Sequence, residues 1–347
     1  MIRIPKNSYA NFIGLFRPKL WILKFPTFIR YFISVNYPIN LLKRVVIGTG
    51  NLTSFDWSIW QNCLWYRDFP ETQQTEKFER KRSKEEEFNL DDDFKNTLKT
   101  YLNNLMPGNV QYTNFLDFNL DNYAISNIDI VLIPSMPGRY RDKDLEKQGH
   151  RKIAHILKKY IPKPVGLQRE KRVLTYYTTS LGNFTEKVLK EFLSSIFPNF
   201  ATIDELRGEK RYKKALIPTG KDLIKLVRVV YPTKKYVENS VNGPEYANCL
   251  AINEECYHST FFLKDYFCQF QVSQQYKFYE GVIPHMNMFI VTDENEEIND
   301  NTFIYFGSHN LSASAWGKYE KDFQQLSISN YDLGVFLPPA IGRLLFI

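Results

Sequence analysis

A ten-residue pattern with an asparagine at its fourth position occurs twice in this chain. Residues 48–57 read Gly-Thr-Gly-Asn-Leu-Thr-Ser-Phe-Asp-Trp, and residues 307–316 read Gly-Ser-His-Asn-Leu-Ser-Ala-Ser-Ala-Trp. Each copy follows a short apolar run, so we expect each to form the turn at the end of a β-strand. Such a turn presents backbone N–H groups beside the amide of Asn51 or Asn310, which suits an anion. Two copies indicate a duplicated unit whose halves build one site.

A basic residue, a spacer and then a lysine or asparagine lie upstream of each turn. The first half carries Arg17-Pro18-Lys19, and the second half carries His285-Met286-Asn287. An imidazole can exchange a proton with a reacting group, whereas ammonium and amide groups can hold oxygens on which negative charge builds. We therefore expect these residues and the two asparagine turns to build one site.

The composition is that of a globular protein, and its basic charge mildly favours a polyanionic partner. The chain has 347 residues, a formal net charge of +7 and a pI near 8.9. No apolar run reaches the roughly 18 residues of a membrane span, so we expect none. Four cysteines form no Cys-x-x-Cys pair, and the spacing of Cys249, Cys256, His258 and Cys268 matches no standard zinc site. We therefore expect free thiols in a reducing compartment and no metal or other cofactor.

Strand and helix patterns alternate along the chain, which is typical of an α/β fold. The periodicity predicts strands over 19–28, 44–47, 128–133, 173–177 and 303–306. Helical spacing predicts helices over 94–105 and 144–160, and a third from Asn183, with Asn183 and Glu186 as a capping box. His150 and His155 on the second helix are interpreted as satisfied or solvated residues.

The length and a Pro/Gly-rich turn at 134–139 predict two domains, 1–135 and 136–347. Residues 31–42 carry no clear periodicity and are interpreted as an insertion in the first domain. Residues 71–87 are a run of mixed charge that we expect to be a mobile loop. A motif region lies close to the start of the sequence, and the last residues of the sequence are apolar. We therefore expect the first domain to lack its opening strands and the second domain to lack its end.

The motifs of the chain together resemble the tyrosyl-DNA phosphodiesterase family, a branch of the phospholipase D superfamily with two His-x-Lys…Asn motifs. The resemblance runs over nearly the whole chain, with its motifs in the family's order. The residues that carry it are Pro18-Lys19-Leu20-Trp21, 45–52, Pro137-Gly138-Arg139, Ser180-Leu181-Gly182, Pro284-His285, 308–317 and Tyr331-Asp332-Leu333-Gly334-Val335.

The resemblance implies two similar phospholipase D-like domains, each a mixed sheet flanked by helices, with the active site at their pseudo-twofold interface. It implies hydrolysis of 3′-phosphotyrosyl and related 3′-blocked DNA ends through a covalent phospho-histidine, without a metal. Arg17 then stands at the position of the nucleophile, and His285 at that of the general acid/base. The groups that hold the phosphate would be Lys19, Asn51, Asn287 at a lysine position, and Asn310.

Further site residues follow from the same resemblance. The turn that contacts DNA falls on Tyr177, Thr178, Thr179 and Ser180, with another DNA contact at Ser312. Asn62 and Asp332 stand where the family has a glutamine and a glutamate that support the histidines. Each is one methylene shorter, so we expect looser support for the imidazole groups.

The residue at the nucleophile position predicts weak catalysis. A guanidinium stays protonated below a pH of about 12 and cannot attack phosphorus. We therefore expect a reduced or absent rate, with His309 as the nearest candidate for a substitute. The alternative is an inactive pseudoenzyme that still binds DNA ends. We expect a monomer located in the nucleus, where the basic run 81–84 could serve import. A phospholipase D-type lipid enzyme is disfavoured, because Lys24 and Thr292 stand where its motif needs aspartate.

Overall fold

The structure is a computed structural model that describes residues 19–25, 42–51, 53–71, 88–105, 120–161, 172–182, 185–197, 224–252, 254–258 and 263–339. Arg17, Asn183, the predicted insertion up to its last residue and the predicted charged loop after Glu71 lie outside those residues. Within them, no helix is both long and apolar enough to cross a membrane.

The strands and helices alternate, as the sequence predicts. The strands are β1 (Leu20–Phe25), β2 (Leu42–Gly48), β3 (Leu64–Pro70), β4 (Val131–Ser135), β5 (Gly138–Tyr140), β6 (Arg172–Tyr177), β7 (Ser180–Leu181), β8 (Val227–Tyr231), β9 (Ala251–Ile252), β10 (Phe267–Gln269), β11 (Asn287–Asp293), β12 (Phe303–Gly307), β13 (Lys318–Glu320), β14 (Gln325–Ile328) and β15 (Asp332–Leu337). The α-helices are α1 (Ser54–Ile59), α2 (Leu90–Leu105), α3 (Asp142–Leu145), α4 (Gly149–Tyr160), α5 (Glu186–Ile196), α6 (Lys234–Glu238), α7 (Glu254–His258) and α8 (Ala313–Trp316).

A seven-stranded mixed sheet forms the centre of the fold. Its order is β10-β8-β6-β11-β12-β15-β4, with β8 parallel to β6 and β10 and the other pairs antiparallel. A separate antiparallel sheet has the order β1-β2-β3. The expected α/β class, with a mixed sheet flanked by helices, is confirmed. β4 ends at the predicted domain boundary and pairs with β15 in the large sheet; the division at residue 135 stays a prediction.

The large sheet is buried on both faces, which is why its strands read as continuous apolar runs. Alternate residues of β12 belong to different clusters: Phe303 and Tyr305 pack with residues of α4 and α5, and Ile304 and Phe306 pack with residues of α2 and β2. The second cluster therefore joins the small sheet to the large one. That contact sets the position of the turn after β2 relative to the second half of the chain.

Three sequence predictions about element bounds were wrong in detail. The helix expected over 144–160 is divided into α3 and α4, and Gly149 begins α4 with φ +49°. A Cβ there would lie 2.3 Å from the Trp316 carbonyl oxygen, so the backbone approach requires glycine. The predicted strand at 128–133 begins only at Val131. The helix expected from Asn183 begins at Glu186, and its N-cap is Thr185, which accepts a hydrogen bond from the Val188 N–H.

Candidate active site

The two copies of the decapeptide form the same local structure. Each begins at the last residue of a strand, Gly48 of β2 or Gly307 of β12, and runs into a short helix. The hydroxyl of Thr53 caps α1 by accepting from the Asp56 N–H at 3.2 Å, and the hydroxyl of Ser312 caps α8 in the same way from the Ala315 N–H at 3.2 Å. Because the hydroxyls cap the helices, the duplicated asparagines are not needed for that purpose.

The first turn joins a lysine, an asparagine and an aspartate. Lys19 Nζ donates a hydrogen bond to Asn51 Oδ1. The Asn51 backbone N–H and its Nδ2 both donate to Asp56 Oδ2, at 2.6 and 2.9 Å. Thr53 Oγ1 donates to the other carboxylate oxygen at 2.7 Å. The buried Asp56 carboxylate therefore fixes the orientation of the asparagine amide that contacts the lysine.

Asn62 connects this turn to the histidine of the second half. Its Oδ1 lies 2.9 Å from His285 Nδ1 and accepts from Thr49 Oγ1 at 2.9 Å. Asn62 also lies so close to Gly50 that a Cβ there would be 2.8 Å from its Cγ. The shorter side chain thus reaches the imidazole, and the expectation that Asn62 would support it only loosely is wrong.

Three consecutive residues, 60 to 62, hold the histidine in three different ways. The Trp60 ring lies 4.7 Å from the His285 ring, centroid to centroid. The Gln61 carbonyl accepts from the His285 N–H at 2.8 Å, and the Gln61 N–H donates to the Ile283 carbonyl at 3.1 Å. With Nδ1 bound to Asn62, Nε2 is the nitrogen that can exchange a proton with a substrate.

Burial and nearby charges determine the protonation of the cluster. Burial lowers the pKa of His285 to about 4, with Lys19 acting in the same direction and the Asp56 carboxylate, 3.9 Å away, opposing it. Burial would raise the pKa of Asp56, but hydrogen bonds from Asn51 and Thr53 bring it below its usual value. At neutral pH the site therefore holds a neutral imidazole beside an ionised carboxylate.

The predicted residues of the second half form a neighbouring network. The buried Asn287 Oδ1 lies 3.0 Å from Thr178 Oγ1 and 3.4 Å from the Thr179 N–H, which donates to it. Thr178 Oγ1 also lies 2.9 Å from the Ser180 carbonyl oxygen, while Tyr177 pairs with Met288 in the sheet. The residue at the family's lysine position is thus bound to the predicted DNA-contacting turn.

The second turn lines a cavity of about 560 Å³ together with that same segment. Asn310, Ser312 and Ser180 all line it, and Leu181 forms a parallel bridge with Leu311. Asp332 Oδ1 accepts from Ser308 Oγ at 2.8 Å, as Asn62 does from Thr49 in the first half. The structure therefore places the described site residues in two groups, which the segment from His285 to Asn287 connects, although their catalytic and DNA-binding roles stay predictions.

Two histidines singled out in the sequence belong to the core. His309 is fully buried, with Nδ1 bound to the Tyr305 hydroxyl and Nε2 to Ser135 Oγ at 2.9 Å. Both nitrogens are occupied, so His309 cannot replace a nucleophile, and that expectation is wrong. His150 is also fully buried, with Nδ1 2.7 Å from Ser195 Oγ. Burial lowers the pKa of each to about 3.

Sequence reasoning overlooked Asp56 and Trp60. The spacing Thr53-x-x-Asp56 has the form of a capping box and marks a carboxylate whose second-copy counterpart is Ala315. Trp60 lies beyond the repeat and gave no signal of its own. Among the residues that the structure describes, no three His, Cys, Asp or Glu side chains are grouped to hold a metal ion.

We expect the pKa of His285 to rise when a 3′-phosphorylated oligonucleotide, the ligand class that the resemblance implies, binds the cluster. A phosphate beside the imidazole stabilises its charged form, which should raise the pKa from about 4 by roughly one to three. Histidine ring NMR signals followed against pH, with His285→Gln for assignment, measure this. His150 and His309 are the internal controls, since both are buried away from ligand. An unchanged pKa of His285 with bound oligonucleotide would contradict the prediction.

Comparison with known proteins gives one consistent family. The family model described as tyrosyl-DNA phosphodiesterase matches residues 35–344. Tyrosyl-DNA phosphodiesterase 1 of Arabidopsis thaliana is 31% identical over 361 residues, which cover 97% of this chain and 51% of the relative. The chain thus spans about half the length of that curated relative.

Solved structures agree at the level of the fold. Yeast tyrosyl-DNA phosphodiesterase matches with a TM-score of 0.56 and 14% identity, over 86% of this chain and 65% of the yeast chain. A mutant of the yeast enzyme matches with the same TM-score and identity over 88% and 69%. The matched family model covers most of the chain and the motifs that build the site from Asn51 onwards, and the chain belongs to the tyrosyl-DNA phosphodiesterase family.

Proposed function

We propose that this chain binds 3′-blocked DNA ends, phosphotyrosyl ends in particular, at the cluster of Lys19, Asn51 and His285. The observation that carries the proposal is the 2.9 Å contact between Asn62 and His285. It places an imidazole from the second half beside the hydrogen-bonded Lys19–Asn51 pair of the first. The cleavage of a phosphodiester is assisted by a cation, an amide and a proton donor within one cluster.

Each group has a defined part in this proposal. Lys19 and Asn51 hold the non-bridging oxygens of the phosphate. The bound phosphate raises the pKa of His285, and the imidazolium so formed donates its Nε2 proton to the leaving oxygen as the P–O bond breaks. A tyrosine oxygen, whose conjugate acid has a pKa of about 10, leaves more readily than an alkoxide. Since Arg17 cannot form the covalent intermediate, water must attack phosphorus directly and lose its proton to solvent, and we propose that turnover is slow.

An inactive end-binding protein is the second candidate. The residue that favours it is Arg17 itself, because a guanidinium can bind a phosphate but cannot attack it. Both candidates use the same contacts with DNA. They differ only in whether the tyrosine is released at a measurable rate.

The test measures binding and release with one oligonucleotide that carries a 3′-phosphotyrosyl end. We expect salt-sensitive binding, and we expect Lys19→Ala to weaken it roughly tenfold, as the loss of a charged hydrogen bond does. Lys99→Ala is the matched control, since Lys99 lies on α2, is half exposed and pairs with Asp121. Equal effects of the two substitutions would refute the proposed site. Tyrosine release above background favours the slow enzyme, and binding without release favours the inactive protein.

We also propose that the protein acts as a monomer in the nucleus. Lys19, Asn51, Asn62 and His285 all come from one chain, so the cluster needs no second copy. The basic run 81–84 supports nuclear import. Sedimentation tests the first statement, and a dimer would refute it. Imaging of the tagged chain with and without residues 81–84 tests the second, and an unchanged distribution in the cell would refute it.

A further inference from the structure

Three aromatic rings extend outward from His285. The Trp60 ring packs on the imidazole, with 4.7 Å between centroids. Phe55 meets Trp60 edge to face at 4.9 Å, and Tyr246 stacks on Phe55 at 5.7 Å. These rings, which we call the aromatic platform, come from both halves of the chain.

The platform is held in place before any ligand binds. Trp60 Nε1 donates to the Tyr246 carbonyl at 2.8 Å, and Asn242 Nδ2 donates to the Ile59 carbonyl at 3.3 Å. Phe55 nevertheless keeps 37% of its surface exposed, and Trp60 and Tyr246 are half-buried. Fixed rings with exposed area can bind another ring at little cost in side-chain entropy.

The position of the platform identifies which part of a substrate it meets. His285 Nδ1 is bound to Asn62, so a leaving oxygen must receive its proton from Nε2. The group attached to that oxygen would then lie next to the imidazole, on which the Trp60 ring packs. By contrast, the cavity beside Asn310 is lined mainly by hydroxyl, amide and charged side chains, which suit a sugar–phosphate chain.

We propose that Phe55, Trp60 and Tyr246 bind the leaving group and select aromatic over aliphatic blocking groups. The inference rests on the proposed function, because it takes the role of His285 from there. The rings are positioning and specificity residues: they take no proton and form no bond with phosphorus. A nucleobase on the same rings is the competing occupant, and it would make binding independent of what the 3′ phosphate carries.

The experiment compares dissociation constants for one oligonucleotide with a 3′-phosphotyrosyl, 3′-phosphoseryl or plain 3′-phosphate end. We expect the wild-type chain to prefer the tyrosyl over the seryl end by roughly 2- to 12-fold, the range that an aromatic pair supplies. Phe55→Ala should bring that ratio close to one and leave binding of the plain phosphate unchanged. Tyr66→Ala is the matched control, since Tyr66 is 54% exposed on β3 and packs under Arg44 at 4.7 Å.

A second readout does not depend on the folding of Phe55→Ala. A 3′-(4-nitrophenyl) phosphate end should quench tryptophan fluorescence on binding, and Trp60→Phe should remove much of the quenching while binding persists. A tyrosyl-to-seryl ratio near one in the wild-type chain, or a ratio that survives Phe55→Ala, overturns the platform but leaves the proposed function standing. Failure to bind any of the three oligonucleotides overturns both.

Discussion

Replacing Arg17 with histidine is expected to raise the rate of tyrosine release from a 3′-phosphotyrosyl oligonucleotide by a factor on the order of 10³ or more. A neutral imidazole at this position can attack phosphorus and divide one difficult displacement into two easier ones. The rest of the cluster is already assembled around His285, Asn62 and Asn51. Single-turnover kinetics with the wild-type and Arg17→His chains measure the gain.

Arg17→Gln is the control, because it removes the charge without supplying a nucleophile, and it should not raise the rate. Adding His285→Asn to Arg17→His should allow a covalent adduct to form from a 4-nitrophenyl ester, whose leaving group needs no acid, but should slow its hydrolysis. Mass spectrometry detects that adduct. Equal rates for wild-type and Arg17→His chains would show that the first motif does not supply the nucleophile.

The two tryptophans that end the repeated decapeptide are expected to differ sharply in their effect on stability. Trp316 is fully buried, stacks on His309 with centroids 4.3 Å apart, and donates from Nε1 to the Tyr176 hydroxyl. Trp57, at the same place in the first copy, is 36% exposed and donates to the Asn51 carbonyl. Trp316→Ala should therefore lower the free energy of unfolding by about 3–5 kcal/mol, and Trp57→Ala by about 1 kcal/mol.

Urea unfolding followed by circular dichroism measures both changes. Trp316→Phe should lower the free energy of unfolding less than Trp316→Ala, since the phenyl ring fills part of the space that alanine would leave empty. Comparable losses for Trp57→Ala and Trp316→Ala would mean that the two copies of the motif are buried alike, against the structure.

Periodicity predicted the strands β1, β2, β4, β6 and β12 and the helices α2, α4 and α5, but not their exact ends, and it did not predict the other elements. Alternate residues of β12 pack into different hydrophobic clusters, so both faces of the strand are buried. That burial is why a continuous apolar run predicted this strand. The break between α3 and α4 was not readable, because it depends on Gly149 meeting the Trp316 carbonyl. A contact between positions so far apart in the chain has no local signature.

The site was predictable where residue type alone decides the chemistry. Asn51, Lys19 and His285 were singled out from the repeat and its upstream motifs, and the structure shows that Lys19 donates to Asn51. The reach of Asn62 was misjudged, because side-chain length was considered without the close approach that Gly50 permits. His309 was misjudged because a residue inside a functional motif can still face the core.

The contacts of residues 60–62 with His285 also have a consequence for the order in which the site forms during synthesis. The Asn62–His285 bond joins positions separated by 223 residues. Non-local contacts of this kind slow folding, because the loop must be closed before the contact is gained. During synthesis the imidazole can reach its partners only after residue 285 has been made, whereas Lys19, Asn51 and Asn62 are made much earlier. The proposed acid is therefore the last of these groups to enter the chain.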